Sequence, residues 1–261
     1  MTQISENRDT PEMALGRSLA ADADVVASGT IHAGAMAAID KDVKLQMADD
    51  AAGLRVLGRS PDYTENSSGS ERGNVEHGIF LYSNSAVSPV VRSMTGRVCY
   101  VENAGTVAAG SVNLVPAGII YDVDSEGVWV DQRAEAIAVC AALARPKIVS
   151  VTGTSVTVSG AQAFQGNVIF ACDNASGVTV TLPSAVPGYR VGVQRTNAAA
   201  GHDVTIQAGT GDSVRGSAAA GTASNTTDAV SDVLWLECES ASAWVDAAPA
   251  APDRAVWQAS A

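Results

Sequence analysis

Aromatic residues make up only 5% of this 261-residue chain, with three Phe, four Trp and five Tyr. A core built on large rings is therefore excluded. The 46% of hydrophobic residues is mostly Ala and Val, so the interior must be filled by small side chains. Charged residues are also scarce, at 17%. Nine prolines and the lack of a Gly-X-Y period rule out a collagen-like chain, and the 24 glycines point to frequent turns. Basic charge is scarcer still, with 16 Lys and Arg against 28 Asp and Glu, a net −12. Residues 1–149 hold 12 basic and 19 acidic side chains (−7), and the remainder 4 and 9 (−5). Neither part has the basic balance of a nucleic-acid module, so no direct nucleic-acid partner is expected.

No apolar run approaches the length of a membrane span, and no membrane partner is expected. The opening Met1–Asn7 lacks a basic flank and an apolar stretch, so it does not read as a signal peptide and synthesis in a host cytoplasm is expected. Cys99, Cys140, Cys172 and Cys238 are scattered through apolar strings without Cys-x-x-Cys spacing, which reads as buried free thiols. His32, His77 and His202 are isolated from one another and from ligand-spaced Cys or Glu. There is no Gly-x-Ser-x-Gly elbow, although spacing says nothing of a triad drawn from distant positions. The glycine-rich Gly209–Gly216 is not followed by Gly-Lys-Ser/Thr and contains Asp212, which would repel phosphate. Asp122-Val123-Asp124-Ser125-Glu126-Gly127 opens like a calcium loop, but its twelfth position is Arg133 and its flanks read as strands. A hairpin turn explains it better. Asn66-Ser67-Ser68, Asn174-Ala175-Ser176 and Asn225-Thr226-Thr227 fit the glycosylation pattern but read as turns. No catalytic residue, metal site or cofactor is expected, and the chain reads as a non-enzyme.

What is present is a two-residue period. Ile31, Ala33, Ala35, Ala37 and Ile39 fall on one face, which predicts a strand running from Thr30. Further strands are predicted at 54–57, around Val75–Tyr82, at 98–101, and at 119–123 and 128–130 about a turn at 124–127. Arg133–Ala144 is the one plausible helix, stopped by Pro146. A second set of strands follows, at 155–158, 167–170, 178–182, 190–194, 203–207, 230–237 and 243–245. The expected fold is all-β: a small N-terminal β-barrel domain, a C-terminal β-sandwich-like domain, and one short connecting helix. The expected divisions are an extended arm at 1–27 and a barrel domain at 28–131. A helical connector at 132–149, a second β-rich domain at 150–246 and a flexible tail at 247–261 complete them. No partner within the chain is predicted for the backbone groups of the arm.

Four phrases in the first half carry a resemblance. They are Gly29–Met36, Val56–Ser60 running on to Asn66–Gly69, Gly96–Glu102, and Ala117–Val130. In this order and at these distances they resemble the capsid cement, or head-decoration, proteins of tailed bacteriophages. Asn7, Arg8, Thr10 and Pro11 are similar to that family's Asn/Arg/Thr-Pro opening. The resemblance implies a virion protein on the outer surface of the capsid, bound to the major capsid protein and commonly a homotrimer. It implies capsid binding through the arm, by Asn7, Arg8, Thr10, Pro11 and Arg17. Thr181-Leu182-Pro183, Gly188, the Val-Thr-Ile strand and Trp244 more loosely resemble a β-module of phage fibre and spike proteins. That module would project outward, where a host-cell surface is a conceivable further partner. A tail-fibre or host-adhesion module is the alternative reading, and an enzyme such as a hydrolase a more distant one.

Overall fold

The structure, a computed structural model, describes residues 12–197, 203–214, 222–225, 233–246 and 257–259. The chain divides into two compact units, Met1–Arg145 and Pro146–Ala261.

The first unit contains β1 (Glu12–Asp24), β2 (Thr30–Ile31), β3 (Met36–Ile39), β4 (Leu45–Met47), β5 (Arg55–Arg59) and β6 (Thr64–Glu65). The long β7 (Arg72–Asn84) follows, then β8 (Val98–Asn103), β9 (Thr106–Ala108), β10 (Pro116–Val123), β11 (Val128–Asp131) and the helix α1 (Ala134–Leu143). β7 pairs with β9, β9 with β8, β8 with β10, β10 with β11, and β11 returns to β7. The ring is a closed five-stranded barrel, which leaves those strands no free edge. β5, β3 and β4 continue from β7 on its other flank.

Two cores share these strands. Phe80, Tyr82, Cys99, Val101, Ile120, Val128 and Val130 fill the barrel with Met36, Ala38 and Val56. Val25, Ile31, Ala37, Leu45 and Val75 form the second core. Alternate residues of β3 therefore enter different cores, and the strand is almost wholly apolar because both faces are covered. Small Ala residues suit that position, since two layers must approach it closely. The strand expected to run from Thr30 to Ile39 is instead two strands. The backbone turns at Gly34, whose φ of 80° suits a residue without Cβ.

The arm also differs from expectation. Residues 12–24 form β1, which pairs antiparallel with β7 from Glu12↔Phe80 to Asp24↔Arg72. Its end is held by Val26 N–H donating to the Leu45 carbonyl. The backbone of residues 12–24 is thus largely claimed within the chain. Register shifts between Met13 and Ser18, and again after Leu19, explain why no clean period marks β1 in the sequence.

The second unit contains β12 (Lys147–Val151), β13 (Ser155–Thr157), α2 (Gly160–Gln165), β14 (Val168–Cys172), β15 (Val178–Thr181), β16 (Arg190–Arg195) and β17 (Val204–Gln207). It continues with β18 (Ser213–Val214), β19 (Thr222–Asn225), β20 (Leu234–Ser240), β21 (Ala243–Asp246) and β22 (Trp257–Ala259). The strands belong to two sheets, ordered β12-β14-β16-β20-β21-β18 and β13-β15-β17-β19-β22. From β12 to β17 successive strands alternate between the sheets, and β12 to β15 each pair in parallel with the strand two ahead, while β16–β20, β17–β19 and β20–β21 are antiparallel. The chain therefore winds, rather than folding back through hairpins. Val178, Val180, Val204 and Ile206 are buried at alternate positions of β15 and β17. β14 is buried at all five positions. The helix α2, unforeseen in the sequence, packs against β14 and β16. The fold is all-β, with two helices and one 3-10 turn among the described residues.

Candidate binding surface

Of the residues implied for capsid binding, Asn7, Arg8, Thr10 and Pro11 lie outside the described residues. Arg17 lies in β1, within the stretch between Met13 and Ser18 where the strand steps out of register with β7. Regular pairing with β7 resumes at Ser18, with a second shift between Leu19 and Ala21.

The acidic turn at 124–127 closes on itself. Asp124 accepts hydrogen bonds from the N–H groups of Glu126 and Gly127 at 2.8 and 3.1 Å and from Trp129 Nε1 at 2.8 Å. The Trp129 bond, followed by the backbone N–H of Glu126, holds the Asp124 carboxyl below its ordinary value. Its oxygens are engaged by donors, which is the arrangement of a hairpin turn. Asp122 pairs with Arg92 at 3.3 Å. Among the described residues, no group of three or more His, Cys, Asp or Glu could hold a metal ion. His32 stacks obliquely on Tyr63 with centroids 5.6 Å apart. The four cysteines are free and buried, and burial pushes the thiols of Cys140, Cys172 and Cys238 up to about 12. Thiols so protonated are poor nucleophiles.

A more distinctive feature lies at the end of the first unit. Asp131 fixes the entry to α1 by accepting from the backbone N–H of Arg133 at 3.0 Å and from its guanidinium at 3.0 and 2.7 Å. The exit is fixed by Arg145, whose N–H donates to Tyr100 Oη at 2.7 Å. Between them α1 places Cys140 against Val98 and Tyr100. α1 is therefore anchored to the barrel and is not a free-standing connector.

Its outward side is unusual. Glu135, Val139 and Leu143 recur every four residues, so they form one stripe along the helix. All three are exposed, Val139 by 45% and Leu143 by 56%. A helix in water normally turns a polar face outward, and this one turns an apolar face. The stripe ends at a hollow of about 580 Å³ lined by Met94, Arg97, Val98, Tyr100, Leu143 and Arg145, among others. The Arg145 guanidinium donates to the Ala109 carbonyl at 2.8 Å and lies 5.4 Å from the centre of the Tyr100 ring. Arg97 is exposed, and no side-chain hydrogen bond or ion pair among the described residues engages it. Val87, 85% exposed, and Val91 lie beside the hollow's Ser88 and Met94 in sequence. On a chain of net −12, the hollow is a local positive site with an apolar margin.

Sequence reasoning did not single out these residues. Arg97, Tyr100 and Arg145 are far apart in sequence and converge only through β8 and the end of α1. The available signal was compositional: from Ala136 to Ala144 the helix has no charged residue at all. Comparison of the chain with family models, curated proteins and solved structures finds no match.

Proposed function

We propose that this chain is a head-decoration protein of a tailed bacteriophage, binding the outer surface of the expanded capsid and stabilising it against internal DNA pressure. The observation that carries the reading is the placement of the cement-like phrases. All four fold into the first unit: the first spans β2 and the start of β3, the second contains most of β5, the third β8 with its preceding turn, and the fourth the β10–β11 hairpin. The phrases that carry the resemblance thus supply strands and turns of the first unit, the β-rich body that the reading assigns to the capsid surface. The physical logic is linkage. A ligand that binds only the expanded shell stabilises it by its own binding free energy, and many symmetric copies multiply the effect. In this reading the major capsid protein is the partner and the virion surface the location. A homotrimer would match a threefold capsid site, and the second unit would project outward.

A tail-fibre or host-adhesion role is the second reading, favoured by the parallel winding of the second unit. One experiment separates the two. The full chain is mixed with undecorated heads, whole phage is imaged in parallel, and heat resistance of the heads is measured. Copies regularly arrayed on the head, with raised heat resistance, are expected. A chain lacking residues 1–11, which keeps β1, should bind more weakly. Copies on the tail would favour adhesion, and none on either would overturn both readings.

A further inference from the structure

We propose that α1 is a self-association surface, through which two copies of this chain pair by laying their helices antiparallel across a two-fold axis at Val139. The inference rests on the helix and hollow alone and is independent of the role on a phage head.

The argument starts from the exposed stripe. Glu135 is four residues before Val139, and Leu143 four after it. A two-fold axis through Val139 brings the two valines together. It also lays Glu135 of each copy against Leu143 of the other, about 6 Å along the helix from the axis. Two residues past Leu143 stands Arg145, and the hollow it lines also holds the unengaged Arg97. Each Glu135 carboxylate therefore arrives at the other copy's basic hollow. Ala138, next to Val139, is exposed as well, and a small residue lets helices approach closely.

Charge decides the direction of pairing. Helices packed in parallel, as around a threefold axis centred on α1, would bring the Glu135 side chains together and leave the Arg145 side chains adjacent to one another. Antiparallel packing replaces both repulsions with attractions. It also covers Val139 and Leu143, which otherwise remain in water. A ten-residue helix is less than a standard interface needs, which is about 800 Å² per partner. Surface beyond the helix must contribute, and the pair is expected to be weak.

Sedimentation of the full chain over a wide concentration series tests the proposal, with circular dichroism and melting checked for each variant. The wild-type chain should show a concentration-dependent monomer–dimer equilibrium. Val139→Asp should weaken it by about tenfold or more. Glu135→Arg and Arg145→Glu should each weaken it, since each places like charges across the axis twice. The Glu135→Arg/Arg145→Glu double variant should recover most of the loss, and so should a mixture of the two single variants, by forming a mixed dimer. Recovery by the double variant is specific to the antiparallel arrangement, because a parallel pair of it would set Arg against Arg and Glu against Glu. Regained pairing on mixing the single variants shows that these residues face each other across the interface, which a merely destabilised monomer would not show. A monomer at every concentration would overturn the proposal, whether the stripe stays in water or another surface covers it. A trimer, or a dimer indifferent to Val139→Asp and to both charge changes, would overturn it too. A trimer would agree with the homotrimer proposed for the head while overturning this pairing, and head decoration itself is read on the particle.

Discussion

At the residue scale, the barrel interior holds a few polar groups that bond to one another. Tyr82 Oη donates to Gln132 Oε1 at 2.9 Å, and Gln132 Nε2 donates to the Ala117 carbonyl at 2.8 Å. Both side chains are fully buried. Gln132 thereby ties β7 to β10 just after β11 ends. Replacing it with Leu removes a partner from each and leaves them desolvated, which should cost about 1–3 kcal/mol. Tyr82→Phe should cost clearly less in the Gln132→Leu background than in the wild type, because the hydroxyl has already lost that acceptor. Urea denaturation of the four proteins in the cycle measures this, and additive costs would contradict the coupling. Gly58 is decided at the same scale. A Cβ there would stand 2.3 Å from the Glu76 carbonyl oxygen of the neighbouring strand, so close approach of β5 and β7 requires glycine. Arg59, next in sequence, pairs with Glu76 at 3.0 Å and lies 4.5 Å over the Phe80 ring.

At the scale of elements, the boundaries follow local chemistry wherever the chain supplies it. α2 is short but well specified. Ser159 Oγ accepts from the Gln162 N–H at 3.2 Å, and the Ser159 N–H donates to Gln162 Oε1 at 2.9 Å. Gly166 closes the helix in the left-handed region at φ 78°. The Ser-x-x-Gln pattern and its following glycine were legible in the sequence, but a helix of six residues is too short to impose a period. Ser159→Ala should cost about 0.5–2 kcal/mol, seen as a lower melting temperature of the second unit with the first unchanged. α1 behaves differently. Its ends are fixed by Asp131 and Tyr100, both contributed by the barrel, so its position depends on tertiary partners. β1 is likewise held by β7, and its register shifts erase the alternation that would announce a strand.

At the scale of the whole molecule, each unit keeps its hydrogen-bonded sheets to itself. The first contains a closed barrel, and the second contains two sheets between which parallel strands wind. Each therefore carries its own cooperative core. Two calorimetric transitions are expected. Ile206→Ala, at a fully buried position of β17, should lower one by the equivalent of about 2–5 kcal/mol and leave the other in place. Joint displacement of both transitions would mean that the units unfold as one body. The parallel winding also bears on folding speed. Parallel pairs such as Lys147↔Val168 and Ser155↔Thr179 close longer loops than a hairpin, so the second unit should form more slowly than a domain of its size built from hairpins alone.

The all-β class, the hairpin at 124–127, the helix before Pro146 and most strand positions could be read from the sequence alone. Each rests on neighbours: a two-residue apolar period, a Gly at a turn, a proline that cannot continue a helix. Closure of the barrel, the division of β3 between two cores and the parallel winding were decided only by tertiary structure. β11 returns to β7 through residues fifty positions apart, as in Val130↔Phe80. The winding takes unequal steps between Lys147↔Val168, Ile169↔Gly192 and Val178↔Val204, which leaves no fixed repeat to find. The candidate surface belongs to the same class. Composition made α1 apolar, but only its docking on β8 and β10 determined which side faces the core. That docking left Val139 and Leu143 in water, Leu143 beside two arginines, because a strand or helix pattern says what must be buried without saying what is available to bury it.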